Sequence, residues 1–142
     1  MLSAYPACFY KEENGYSVIF PDLNDLATSG GTLEEAFEMA IDCMAGYLFW
    51  LTLDGEQYPV SSDVGDIDPV KVAEELEFTY EVAFVNMVTV DVETYAKTHF
   101  EKAVKKTLTI PSWLNKAAME RDINFSKVLQ EALKEKLDLK VN

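Results

Sequence analysis

The chain has 142 residues, 49% of them hydrophobic, with 25 Asp and Glu against 12 Lys and Arg, a formal net charge of −13. That content buries a core, but two compact units would each lie at the small end of domain sizes. The charge is split: residues 1 to 96 hold 19 acidic and 2 basic side chains, a net −17, while residues 97 to 142 hold 10 basic and 6 acidic, a net +4, so the first body repels phosphate and suits basic partners whereas the second meets the minimum requirement for gripping a nucleic-acid backbone.

Leu2 to Tyr10 alternates loosely between apolar and small or polar residues, and Tyr16 to Phe20 does so again after the turn-forming Glu13-Asn14-Gly15, which predicts a β-hairpin. Pro21 to Asp25 breaks the pattern, Leu26 to Ser29 reads as a short third strand, and Gly30-Gly31 frees the backbone before a helix. Thr32 is a good N-cap, and Glu35 three residues later completes a capping-box pattern. Leu33, Ala36, Phe37, Ala40, Ile41, Met44, Tyr47, Leu48 and Leu51 then recur at helical spacing, with Glu34, Glu35, Glu38 and Asp42 mostly between them. A long amphipathic helix covering the sheet follows.

Asp54 to Pro69, rich in Gly, Pro, Ser and Asp, is expected to be a loop. Phe78 to Val92 is rich in β-branched and aromatic residues without proline and predicts one long strand or two. The order βββαβ makes an α+β domain with one helix on a mostly antiparallel sheet. Glu93 to Val104 turns polar and mixed in charge, as a short helical connector would. The expected division is therefore 1–92, a connector 93–104, and a C-terminal unit 105–142.

That last unit reads strand, helix, helix. Lys105 to Ile110 alternates, Pro111 suits a first helical position, and Trp113 to Arg121 continues with Leu114, Ala117 and Ala118 inward. Asn124 caps a second helix, with Ile123 and Val128 placed as a hydrophobic staple and Val128, Leu129, Ala132, Leu133 and Leu137 on its apolar face. A lone short strand leaves both edges unpaired, and pairing two copies antiparallel repairs this. Leu108 and Ile110 would then face the helices, leaving Lys105, Thr107 and Thr109 on the outer face of a two-stranded ribbon, which fits the B-DNA major groove. The free backbone N–H groups at Asn124, Phe125 and Ser126 favour a phosphate. Lys116, Arg121 and Lys127 read as a solvated face with generic phosphate attraction.

Cys8 and Cys43 lie far apart in apolar surroundings and read as small buried hydrophobes. His99, the single histidine, reads as a surface or linker residue, leaving a His-rich metal site or a Ser/His or Cys/His pair little to work with. The longest apolar stretch, around Gly46 to Leu51, falls short of the roughly 18 residues that span a bilayer. Without a basic region, apolar stretch and cleavage site at the N-terminus, the expectation is a soluble cytoplasmic protein with no membrane role. No cofactor or metal is expected.

The run KKTLTIPSWLNKAAMERDINFSKVLQEAL resembles a ribbon-helix-helix DNA-binding unit at its strand, proline and second-cap positions. A dimerisation unit with no DNA role is the plainer reading of the same residues. In residues 1 to 50, the hairpin, the FPDL turn, the Ser-Gly-Gly step and the TLEEA helix start are similar to the HicB antitoxin family, and the order of domains agrees. Some members of that family carry a helix-turn-helix at this end; this sequence resembles the ribbon-helix-helix subgroup. The resemblance implies an N-terminal domain like a trimmed ribonuclease H fold without that enzyme's activity. It also implies a HicA toxin as partner, a small ribonuclease with a catalytic histidine.

On that footing the chain is expected to be an antitoxin, not an enzyme. It would mask a HicA-like mRNA interferase and, as a homodimer or higher oligomer, bind operator DNA to regulate its own transcription. Asp22 and Ser29 are expected near the toxin's catalytic side chain, where a carboxylate and a hydroxyl would hydrogen-bond an imidazole; the plainer alternative is that Asp22 stabilises its own turn and Ser29 its strand end. Two rival functions remain at this level. A two-metal ribonuclease needs clustered carboxylates, and the acidic residues here fall mainly on the solvated face of the helix. A stand-alone ribbon-helix-helix regulator, its acidic domain a sensor or oligomerisation module, has no toxin at all.

Overall fold

In the computed structural model, which describes residues 1–138, the acidic half is an α+β unit. Four strands, β1 (Ser3–Glu12), β2 (Gly15–Phe20), β3 (Leu26–Gly30) and β4 (Val82–Val90), lie in the order β3-β2-β1-β4, every neighbour antiparallel. Glu12 pairs with Gly15, so Glu13-Asn14 forms a two-residue turn. Gly15 sits at φ 145°, and a side chain there would strike the carbonyl of Gly30. The hairpin expected around Glu13-Asn14-Gly15 is present, and β1, flanked by β2 and β4, is buried from Tyr5 to Tyr10.

Helix α1 (Leu33–Leu53) covers one face. Thr32 caps it, its Oγ1 accepting from the Glu35 amide at 3.1 Å, while Glu35 Oε2 accepts from the Gly31 amide at 3.0 Å. The capping box is closed one residue upstream of its usual donor. Ala36, Ala40, Met44, Ala45 and Leu48 are buried against Tyr5, Ala7, Phe9, Val18, Phe20 and Leu23. Small residues bring the helix axis close to the sheet while Met44 and Leu48 fill the space between them. As a whole helix α1 is long and apolar enough to cross a bilayer by length and composition, which the short run around Gly46 to Leu51 did not disclose. In this fold its apolar side is the roof of the sheet.

The other face is covered by the chain between α1 and β4. A 3-10 turn (Val64–Asp66) leads into α2 (Pro69–Glu75), where Asp68 Oδ1 accepts from the Val70 amide at 3.0 Å. Ala73 is buried with Cys8, Tyr10 and Ile19, and Ile67, Val72, Phe78 and Tyr80 pack around them. The sequence pattern did not disclose α2, because seven residues are too few to establish a 3.6-residue period. Strand β4 begins at Val82 rather than Phe78: Phe78 and Tyr80 leave the ladder and pack on Tyr10, ring centroids 4.7 and 5.1 Å away.

Most of the connector expected over 93–104 is helical. Helix α3 (Val92–His99) is capped by Asp91, whose Oδ1 accepts from the Thr94 amide at 3.1 Å, and Tyr95 donates its hydroxyl proton to Asp42 Oδ1 of α1 at 2.9 Å. Two helices follow, α4 (Ser112–Glu120) and α5 (Phe125–Lys136). The strand expected over Lys105–Ile110 is a correction: within the single chain this stretch has no regular secondary structure. An isolated strand has no neighbour to take its N–H and C=O groups, so nothing in one copy holds it as a ladder. None of residues 101–138 is buried; Ala118 and Leu129 alone are half-buried. The last four residues of the unit expected over 105–142 lie outside the described residues.

Candidate functional site

Asp22 sits in a 3-10 turn (Pro21–Leu23) between β2 and β3. Each of its carboxylate oxygens accepts one bond: Oδ2 from the Ser62 amide at 2.7 Å and Oδ1 from the Ser62 hydroxyl at 2.9 Å. The Tyr5 hydroxyl donates to the Pro59 carbonyl at 2.6 Å, and burial, reinforced by the Asp22 charge, pushes that phenol up. Further along, Tyr10 donates to the Pro69 carbonyl at 2.6 Å, with burial raising its phenol too. Asp22 therefore ties the segment after α1 to the β2–β3 turn, a link across 40 residues that spacing alone does not disclose.

Ser29 lies at the other end of the β2–β3 ladder. Phe20 pairs with Leu26 at Asp22's end, whereas Ser29 pairs with Ser17 beside the β1–β2 turn. The two predicted toxin-contact residues are thus separated by the length of β3. Ser29 is exposed and borders an open polar cleft of about 330 Å³ with Glu12, Asn14, Tyr16 and Glu35. Glu12 Oε1 accepts from the Ser17 hydroxyl at 2.7 Å. The Ser-Gly-Gly step has a structural cause: a Cβ on Gly30 would lie 2.5 Å from the Ala36 amide nitrogen, so β3 meets the first turn of α1 only without a side chain.

In the basic half, α4 and α5 form an open groove of about 650 Å³. Its apolar lining comes from Leu108, Ile110, Leu114, Ala118, Ile123, Phe125, Val128, Leu129 and Ala132. Lys106, Leu108 and Ile110 border the groove, while the alternate residues Lys105, Thr107 and Thr109 do not. The period-two division of this stretch is therefore present even where the ladder is not. Asn124 caps α5, its Oδ1 accepting from the Lys127 amide at 3.0 Å; Phe125, half of it uncovered at 45% exposure, and Ser126 open that helix at the groove's rim.

The remaining chemistry-bearing side chains are elsewhere. Cys8 is buried in the sheet and Cys43 half-buried with its Sγ 3.8 Å from the Ala27 carbonyl; burial pushes both thiols up, away from the reactive thiolate. His99 is exposed at the end of α3, its ring stacked on Tyr95 at 3.8 Å. Among the described residues, no three His, Cys, Asp or Glu side chains are grouped to hold a metal ion.

A family model described as the HicB-like antitoxin of bacterial toxin-antitoxin systems matches residues 5–133. Antitoxin HicB 1 of Photorhabdus laumondii is 43% identical over 54 residues, covering 38% of this chain and 35% of its own. Antitoxin HicB 2 of the same organism is 36% identical over 62 residues, 44% of this chain and 45% of its own. The chain thus spans less than half the length of these curated relatives. A chain of a solved toxin-antitoxin complex from Streptococcus pneumoniae superposes with a TM-score of 0.65 at 34% identity, covering 96% of this chain and 99% of that one.

Proposed function

This chain belongs to the HicB-like antitoxin family of bacterial toxin-antitoxin systems, and on that premise we propose that it neutralises a small basic HicA-like mRNA interferase by masking its active site and binds operator DNA to regulate its own transcription. Residues 1–92 are the neutralising domain, a trimmed ribonuclease-H-like βββαβ unit acting as an inhibitor rather than a catalyst; 93–104 connect; 105–142 bind DNA. The observation that carries this reading is the division of charge, −17 against +4. An acidic surface speeds encounter with a basic ribonuclease and repels nucleic acid, which leaves the basic unit as the DNA grip.

The toxin contact runs along β3 from the acidic rim at Ser29 to Asp22 at the other end of the strand, where the Asp22 carboxylate also holds Ser62. The apolar groove over α4 and α5 is what a second copy covers in a ribbon-helix-helix dimer. Lys105–Ile110 then finds the strand partner it lacks in one chain, with Lys105, Thr107 and Thr109 directed at base edges and the α5 start at Asn124, Phe125 and Ser126 at a phosphate.

The test is co-expression with the small protein encoded beside it, followed by RNA-cleavage and operator-binding assays on the purified chain. The expected result is a partner that cuts RNA alone and stops when the chain is added, together with loss of operator binding, but not of neutralisation, in a Lys105/Thr107/Thr109 triple Ala variant. No suppression of cleavage overturns the antitoxin mechanism. Operator binding left intact in the folded triple variant overturns the ribbon.

A further inference from the structure

Helix α1 is apolar on two sides, and the sheet uses one of them. Opposite the buried stripe of Ala36, Ala40, Met44 and Leu48, the residues Met39, Cys43, Gly46, Trp50 and Leu53 follow one another at steps of four and three, so they line a single outward face. Met39 and Trp50 are 39% and 44% exposed, and Cys43, Gly46 and Leu53 are half-buried. A surface helix of a globular domain ordinarily turns charged residues outward along its whole length. Here the charges stop at Asp42, and the eleven residues from Cys43 to Leu53 carry none. The face has a neighbour on each side. Phe100, just past α3, stacks on Phe49 with ring centroids 5.4 Å apart, and its ring edge lies 3.8 Å from where a side chain on Gly46 would begin. Across the helix, Cys43 Sγ lies 3.8 Å from the Ala27 carbonyl, which carries the face onto β3.

We infer that this outward face of α1 is an apolar docking surface for the toxin, with Trp50 as its anchor, extending onto the helix the contact proposed along β3. The inference rests on the antitoxin reading above and adds the part of the contact that holds the complex once charge has steered it into place. The occupant follows from charge. No basic side chain occurs between Lys11 and Lys71. Glu34, Glu35 and Glu38 are exposed on the first turns of α1, and Asp54 and exposed Glu56 follow its end, so carboxylates frame the stripe at both ends. A second copy of this chain would set that frame against its own like charges. A basic partner instead pairs with the frame and leaves the stripe to its apolar side chains. The chain's own basic unit is not seated there, since none of residues 101–138 is buried. An apolar centre within a polar rim is the common anatomy of a protein interface, and a tryptophan at such a centre carries far more of the binding energy than the rim does. Asp22 and Ser29 then fix the orientation of the toxin, and Trp50 its residence time.

The experiment uses the full chain and the small protein encoded beside it. Trp50→Ala is expected to raise the concentration needed to stop RNA cleavage at least about tenfold, through faster dissociation, because truncating an interface anchor acts mainly on the off-rate. The association rate, its salt dependence and operator binding are expected to match the parent. Trp113, 71% exposed on α4, is the other of the two tryptophans. Trp113→Phe therefore leaves Trp50 as the chain's sole indole emitter, and a W50F/W113F chain allows any tryptophan of the toxin to be subtracted. Adding toxin is expected to shift Trp50 emission to the blue and to shield it from acrylamide. Neutralisation by folded W50A within about twofold of the parent overturns the inference, as does Trp50 emission that the toxin leaves unchanged. Emission already blue and shielded without toxin also overturns it, because a second copy or the basic unit then covers the face. If the parent chain itself fails to suppress cleavage, the antitoxin reading falls and this surface with it. If the parent suppresses cleavage and W50A does so equally well, only the surface falls. If W50A does not fold, the emission of native Trp50 decides.

Discussion

Asp22 and Gly30 show how far one residue's role depends on neighbours remote in sequence. The Asp22 carboxylate takes two hydrogen bonds from Ser62. Asp22→Ala leaves the Ser62 amide without its acceptor, and charge-assisted bonds of this kind are worth about 1.5 to 3 kcal/mol. Urea unfolding is expected to register a loss of about 2 kcal/mol, and Ser62→Ala a smaller one, since its amide keeps the carboxylate. Gly30→Ala forces a Cβ to 2.5 Å from the Ala36 nitrogen; backbone on both sides has no rotamer to escape into, so about 3 kcal/mol of destabilisation is expected. Tyr95 supplies a pH test. Burial first, and then its bond to the Asp42 carboxylate, push its phenol up to about 12 from an ordinary value of 10.0. A raised phenol favours the protonated folded state. Its contribution is therefore full below about pH 10 and is lost as pH rises from there through about 12. Tyr95→Phe is expected to remove the corresponding step from the ultraviolet titration of the seven tyrosines and to flatten the fall of stability over that window.

At the scale of elements, α1 is held by its cap and its buried stripe. Thr32→Ala is expected to cost about 1 kcal/mol by removing the acceptor for the Glu35 amide. Leu48→Ala, at a fully buried position in the main core, is expected to cost about 3 kcal/mol; thermal or urea denaturation checks both, and a smaller loss at Leu48 than at Thr32 would contradict this packing. Asn124→Ala removes the acceptor for the Lys127 amide and is expected to lower the helix content of the C-terminal unit with little effect on the sheet. Amide exchange resolves the two regions. β1, by contrast, is held by both faces at once: Phe9 packs on Phe37 and Phe84 at 4.5 and 5.1 Å, and Tyr10 on Phe78 and Tyr80.

Across the whole molecule, two bodies of opposite charge give two salt responses of different kind. For the proposed toxin contact, salt is expected to slow association while leaving dissociation nearly unchanged, because the acidic field steers encounter. For operator DNA, the logarithm of affinity is expected to fall linearly with the logarithm of salt concentration, and Lys105→Ala to reduce that slope by about one for each lysine removed. Titrations at several salt concentrations separate the two responses.

The order βββαβ, the Thr32 start of α1, the Asn124 cap of α5 and the division of charge were all legible in the sequence, because each depends on residues within a few positions of one another or on composition alone. Family membership was legible for the same reason, through the FPDL turn, the Ser-Gly-Gly step and the TLEEA start. The sequence did not disclose the Asp22–Ser62 tie, the cover that α2 and Phe78 lay over the second face, or the separation of Ser29 from Asp22 along β3. Each of these is a contact between segments whose spacing carries no period. Tertiary structure alone decided them, since burial and hydrogen-bond satisfaction are settled by what the rest of the chain brings alongside, and the same dependence leaves Lys105–Ile110 without a ladder in one copy.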